Sequence, residues 1–261
     1  MTRATVIGVS LKMYFGMQET LAWCRSVAEI AGRHPAAATG VAEIFVLPSS
    51  PVITQTLDVF ADTPVTVGAQ NLFWEDRGAF TGEVSGAMLR ELGCRFVEVG
   101  HAERRRLFGE DDVVVAAKTA AALRNRLTPV LCIGEPERTS AAEASARCIA
   151  EVDAALAVAA RHHCLGPIVA AYEPQWAIGA SEPATPEHIG GVCRALVHWL
   201  AANNALDGSR VIYGGSAGPG LLPRLGDSVD GLFLGRFAHD PRAFEAILDD
   251  VVAIRRQGVQ P

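Results

Sequence analysis

Lysine is nearly absent from this chain. Of its 23 basic residues only Lys12 and Lys118 are lysine, and all the others are arginine. Other things are missing too, and each absence excludes a class. No run of about 18 apolar residues occurs, so the sequence offers no transmembrane helix. The apolar run from Val6 to Leu11 ends at Lys12, too short for a signal-peptide core and with no small-residue cleavage site after it. The six cysteines form neither a C-x-x-C pair nor a zinc-ligand spacing, and in 261 residues they read as buried thiols of a reducing compartment. Positive charge is not in excess. The net charge of −6 argues against broad binding to nucleic acid or to an anionic membrane. With 49% apolar and only 20% charged residues, intrinsic disorder is excluded as well. A soluble, cytoplasmic protein is expected.

What is present is a repeated alternation. Short apolar, β-rich runs fall at Thr5–Val9, Ala42–Val46, Val65–Val67, Phe96–Val99, Pro129–Ile133, Ile168–Ala171, Arg210–Tyr213 and Gly231–Leu234. Between them lie segments of helical period, among them Thr20–Ile30, Asp111–Arg126, Ala141–His162 and Pro186–Asn203. The last opens on Thr185-Pro186-Glu187, a cap, a first-turn proline and an early acid. Eight strand candidates leave ~33 residues per unit, enough for a strand and its crossover helix. Continuously apolar strands indicate a parallel sheet covered by helices. The fold class is therefore α/β, and eight such units predict one (β/α)8 barrel domain spanning residues 1–261. An open doubly wound sheet would carry G-x-G-x-x-G after its first strand, where this chain has Gly8-Val9-Ser10-Leu11-Lys12.

In such a barrel the functional groups belong at the C-terminal ends of the strands. Those ends carry Lys12, His101 with Glu103, and Glu173. A compact ammonium such as Lys12 suits a developing point charge better than a planar guanidinium does. Glu173 opens a loop whose apolar centre, Trp176-Ala177-Ile178, suits a lid that shuts water away from a carboxylate base. Arg105 and Arg106 are read as a solvated helix start. The turns Tyr213-Gly214-Gly215-Ser216 and Leu234-Gly235-Arg236 offer main-chain N–H groups to a phosphate. Lys118 falls on a predicted helix and is assigned a structural role.

Taken together, these residues resemble the triosephosphate isomerase family over nearly the whole chain. The resemblance rests on Gly68-Ala69-Gln70-Asn71, Gly78-Ala79-Phe80-Thr81-Gly82-Glu83, Gly100-His101-Ala102-Glu103-Arg104-Arg105, Cys132-Ile133-Gly134-Glu135, Tyr172 through Gly179, and Tyr213-Gly214-Gly215-Ser216. It implies a TIM barrel that isomerises a small phosphorylated sugar through an enediolate, without a metal or an organic cofactor. By this resemblance Glu173 is the base, His101 a neutral electrophile, Lys12 the stabilising cation and Glu103 a supporting carboxylate. Ser10 would contact substrate. Gly179, Gly214, Gly215, Ser216, Gly235 and Arg236 would hold the phosphate while the loop of residues 176–184 closes. The resemblance also implies a homodimer in which the loop of residues 73–81 reaches into the partner. Phe73 and Trp74 at its tip would otherwise be bare to solvent.

The chain departs from the family pattern in places. Ser10-Leu11-Lys12 stands where Asn-Trp-Lys is usual, Ala102 replaces a serine, the lid reads Gly179-Ala180-Ser181-Glu182-Pro183-Ala184, and Arg236 replaces a glycine. All of these touch substrate positioning, while Lys12, His101 and Glu173 remain. The first expectation is interconversion of dihydroxyacetone phosphate and glyceraldehyde 3-phosphate. The alternative is a tetrulose phosphate such as L-erythrulose 1-phosphate. A phosphosugar-binding barrel without catalysis is the third reading.

Overall fold

Alternation of side chains along a strand decides this fold, because both faces of every strand are buried. In the computed structural model, which describes residues 3–257, the strands are β1 (Thr5–Ser10), β2 (Ala42–Leu47), β3 (Val65–Ala69), β4 (Phe96–Val99), β5 (Thr128–Ile133), β6 (Val169–Tyr172), β7 (Arg210–Tyr213) and β8 (Gly231–Leu234). All pair in parallel in chain order, and β8 pairs back to β1 to close the barrel. Met1, Thr2 and residues 258–261, the ends of the expected domain, lie outside the described residues. The predicted strands are right to within one or two residues at each end. β6 begins after Ile168 because the Ile168 N–H donates to Ser209 Oγ at 3.0 Å instead of joining the ladder.

One set of alternating residues (Val6, Phe45, Phe96, Val130, Val169, Ile212 and Phe233 among them) forms a cluster of its own, the filled interior of the barrel. Phe45 and Phe96 stack there at 4.5 Å. The other set, with Ile7, Val9, Ile44, Val97, Leu131 and Leu232, packs outward against the helices in a second, larger cluster. This two-sided burial explains why the strands read as unbroken apolar runs.

Several helices start where a side chain caps them. Asp111 accepts from the Val114 N–H at 2.9 Å and starts the helix Asp112–Arg124. Ser140 and Glu143 form a reciprocal capping box ahead of Ala141–Arg161. Thr185 accepts from the His188 N–H at the head of Pro186–Ala201, as its sequence predicts. Each such cap contributes about 1 kcal/mol. The first long helix runs from Met17 to Arg33, longer than its periodic core, because Glu19 reaches back to the Gly16 N–H. No helix among the described residues is long and apolar enough to cross a membrane. Five of the six cysteines are buried, whereas Cys164 is partly exposed.

One expectation needs correction. The rings of Phe73 and Trp74 are not bare at a loop tip: they pack on each other at 4.0 Å, and Phe80 covers Phe73 at 4.7 Å. Apolar rings close together in one loop cover one another before any partner is needed.

Candidate active site

The ends of β1, β4 and β6 bring their side chains to one rim. Ser10 is the last inward residue of β1, with Lys12 two positions on, and Glu173 continues the inward parity of β6. His101, on the outward parity of β4, follows Gly100, which lies in the left-handed region at φ +75°. All three of Lys12, His101 and Glu173 line a cavity of about 290 Å³ together with Ser10, Glu103, Gly179, Gly214, Ser216, Gly235 and Arg236. Ten of the eleven expected site residues therefore meet at one place. Gly215 does not line it. A Cβ there would strike the Tyr213 hydroxyl at 2.5 Å, so this glycine is required by the packing of the Tyr213 ring beneath the turn.

Lys12 adopts φ of +50°, the left-handed region that a side chain normally avoids. Its carbonyl is held in that conformation by Ser49 Oγ and Gln70 Nε2, each donating at 2.9 Å. The ammonium donates to Glu103 Oε1 at 2.7 Å. Burial works to lower the Lys12 pKa, but the bond to Glu103 and the charges of Glu173, Glu103 and Glu98 outweigh it, so the pKa is raised. Lys12 is a full cation at neutral pH. Burial would raise the pKa of Glu103, but the Lys12 bond and charge prevail and hold it low.

His101 caps the short helix Ala102–Phe108, its Nδ1 accepting from the Glu103 N–H at 3.1 Å. A neutral ring with Nδ1 accepting carries its proton on Nε2. Burial depresses the His101 pKa, against the pull of Glu98, so the neutral form is favoured. Nε2 lies 3.7 Å from Glu173 Oε2 and 3.9 Å from Glu98 Oε1. Neither separation is a hydrogen bond, and both His101 Nε2 and Glu173 Oε2 are buried without a partner. Unpaired buried polar atoms are costly, and here they face the same cavity.

Glu173 is 7% exposed. Burial pushes its carboxyl up to about 7, with Lys12 pulling the other way. The carboxylate occupies space that only glycine leaves free, since a Cβ on Gly214 would come within 2.7 Å of Glu173 Cγ and Oε1. A carboxylate poised near neutral pH, beside a neutral imidazole and a cation, is equipped to take and return a proton while charge develops on an adjacent oxygen.

The opposite side of the cavity offers hydrogen-bond donors. Among the described residues, the main-chain N–H groups of Gly179, Ser216, Gly235 and Arg236 donate to no acceptor within the protein. Ser216 also adopts a left-handed φ of +55°. Its hydroxyl is shared between the Ala177 and Ala180 carbonyls, at 2.8 and 2.9 Å. Arg236 Nη2 donates to the Gly179 carbonyl at 3.3 Å, so the arginine that replaces the usual glycine reaches the lid backbone at the cavity mouth. Two more bonds dock the lid. Trp176 Nε1 donates to Glu135 Oε1 at 2.9 Å, and the Ala184 N–H donates to the Tyr213 hydroxyl at 3.0 Å.

Arg106 is exposed on its short helix, as a solvated helix start predicts, and borders the cavity mouth, while Arg105 is half-buried and pairs with Asp112 at 2.7 Å. Glu98 is the site residue that the sequence reading does not single out. It is 4% exposed, at an inward position of β4, and accepts from Ser10 Oγ at 2.8 Å. Its signal was legible: a carboxylate two residues after Phe96 shares that ring's inward parity, where a core side chain is expected. No group of three or more His, Cys, Asp or Glu side chains is placed to hold a metal ion among the described residues.

Comparison with known proteins agrees with this geometry. The family model described as triosephosphate isomerase matches residues 5–251. An L-erythrulose-1-phosphate isomerase of Pectobacterium atrosepticum is 57% identical over 98% of this chain and 99% of its own length. A protein of the same name from Rhizobium etli is 39% identical over 95% of the chain and 92% of its own length. A triosephosphate isomerase of Moorella thermoacetica is 39% identical over 82% of the chain and 88% of its own length.

Proposed function

We propose, from the premise that the chain belongs to the triosephosphate isomerase family, that it isomerises a tetrulose phosphate of the L-erythrulose 1-phosphate type. It is an isomerase of this family by its fold and its relatives. The observation that carries the substrate is the 57% identity, end to end, to a protein named for that reaction. The triose-phosphate reading, put first on motifs alone, gives way to it.

The substrate carries its phosphate on C1, a carbonyl at C2, a hydroxyl on C3 and a terminal hydroxymethyl at C4. Glu173 removes the proton from C3, and the electron pair flows to the carbonyl oxygen to give the C2–C3 enediolate. Lys12 stabilises that charge, and the His101 Nε2 proton is shared with the two oxygens in turn. Glu173 returns its proton to C2, leaving the carbonyl on C3. The product is again a ketose, erythrulose 4-phosphate when numbered from its other end, whereas the triose reading interconverts a ketose and an aldose. Each general acid–base step of this kind contributes ~10²–10⁴-fold. The free N–H groups of Gly179, Ser216, Gly235 and Arg236 take the phosphate, which reconciles an anionic ligand with a protein of net charge −6. A homodimer working in the cytoplasm belongs to the same reading. Support for pairing comes from the resemblance and from Met13, 90% exposed beside the site.

Side-by-side kinetics test the proposal. The expected kcat/KM for L-erythrulose 1-phosphate exceeds that for dihydroxyacetone phosphate by ~10²-fold or more. The reverse preference would restore the triose reading. Glu173→Gln is expected to remove turnover while leaving the Kd for a phosphate-bearing ligand within a few-fold. Loss of both together would sink the assignment of Glu173 as base.

A further inference from the structure

L-erythrulose 1-phosphate is dihydroxyacetone phosphate with one hydroxymethyl group added on the carbon that loses its proton. With the phosphate at the turns after β7 and β8 and the reacting carbon at Glu173, the walls of the cavity left for that group are the ends of β1 and β4. Ser10 faces the cavity there, and Glu98 stands directly behind it.

We propose that Ser10, oriented by Glu98, is the hydrogen-bond acceptor for the terminal hydroxyl of the tetrulose phosphate, and so selects the four-carbon substrate. The inference rests on the tetrulose reading above. A serine hydroxyl has one hydrogen and two lone pairs. Ser10 donates its hydrogen to Glu98 Oε2 at 2.8 Å, so what it turns to the cavity is acceptor only. A substrate O–H satisfies that acceptor, and an apolar group in the same place leaves it unpaired.

The cost of Glu98 supports the assignment. Its carboxylate lies in the barrel interior beside the layer of Phe96, Val130 and Cys132, and Ser10 is its hydrogen-bonding partner. Burial raises its pKa, and a buried carboxyl held by a single hydroxyl destabilises the fold relative to an apolar side chain. Glu98 touches no substrate in this arrangement. It is a positioning residue acting through Ser10.

The test compares L-erythrulose 1-phosphate with its 4-deoxy analogue, which keeps the reacting carbons and loses only the terminal hydroxyl. The wild-type protein is expected to prefer the full substrate by roughly 10–100-fold in kcat/KM, the range of a hydrogen bond to a polarised group. Ser10→Ala is expected to bring that ratio to near one, by lowering turnover of the full substrate and leaving the analogue within threefold. Glu98→Leu is expected to erode the ratio, and Glu98→Gln, which still accepts from Ser10, to restore most of it. A wild-type ratio near one, or an equal loss on both substrates in Ser10→Ala, overturns the proposal. Equal losses on both substrates in Glu98→Leu, unrescued by Glu98→Gln, would make Glu98 a structural support and overturn its part. If the wild-type protein turns over dihydroxyacetone phosphate and not the tetrulose phosphate, the underlying substrate reading fails, and this inference with it. Thermal melts separate these outcomes from misfolding, and Ser10→Ala, isosteric but for the hydroxyl, keeps the test open if Glu98→Leu does not fold.

Discussion

The two lysines occupy opposite electrostatic situations although each is bonded to a glutamate. Lys12 meets Glu103 at 2.7 Å on the rim of the cavity, and Lys118 meets Glu110 at 2.5 Å inside the protein. Lys118 is 3% exposed, and burial lowers its pKa in spite of Glu110, which is also bonded by Arg104 at 2.6 Å. Among the described residues no other lysine or arginine bonds the Glu103 carboxylate, and Lys12 feels three acids, so its pKa rises. Neighbouring residues of one motif serve the two sites. Gln70 holds the strained carbonyl of Lys12, and Asn71 Oδ1 accepts from the Lys118 ammonium at 2.6 Å. A buried cation bonded to two groups of the protein is a structural element, whereas one with surplus negative charge facing a cavity is available to a ligand.

Exchanging each lysine for methionine should break this comparison in opposite directions. Lys12→Met is expected to cost ~10²–10³ in kcat, the loss of one preorganised charge in a water-poor site. Its urea midpoint should stay near that of the wild type. A variant that keeps its rate would remove Lys12 from the chemistry. Lys118→Met should do the reverse. Leaving Glu110 with only Arg104 destabilises the fold by about 3 kcal/mol, the lower end for breaking a buried pair, with kcat within threefold. Urea denaturation and steady-state kinetics on the same preparation check both halves.

Glu173 sharpens the comparison through pH. Its folded pKa is raised from 4.5 to about 7, so between those values the folded state holds the proton more tightly than the unfolded chain. Stability is therefore lost as pH rises through this window and levels off above it. Glu173→Gln abolishes the loss. The variant should equal the wild type near pH 4 and exceed it by up to roughly 3 kcal/mol at pH 8. Equal stability at both pH values would count against a carboxyl raised by burial. In the wild type, kcat/KM should climb as pH passes 7, since the base works only when ionised. The smallest expected effect is at Arg236. Arg236→Gly removes the bond to the Gly179 carbonyl and should raise KM by about three- to tenfold, with little change in kcat.

Much of this site was legible in one dimension. Strand ends are marked by the change from apolar run to charge, and in a parallel barrel all such ends share a rim. Lys12, His101 and Glu173 could therefore be gathered without coordinates. The caps at Asp111, Ser140 and Thr185 are local and act within four residues, which is why helix starts were readable too. The role of Glu98 was not, because a carboxylate inside a strand acquires a role only when the closed barrel sets Ser10 against it.

What the sequence by itself determined is the set of periods: eight two-sided apolar strands, the helices between them, and the few ionisable residues placed where strands stop. Closure of the sheet decided the rest, because it brings together residues far apart in the chain. Ser10 and Glu98 are 88 positions apart, and Lys12 and Glu103 are 91 apart. Neither pairing has any local signature. Each exists because β1 and β4 converge on one rim, and there the same physics that buries Lys118 against Glu110 leaves Lys12 facing an open cavity.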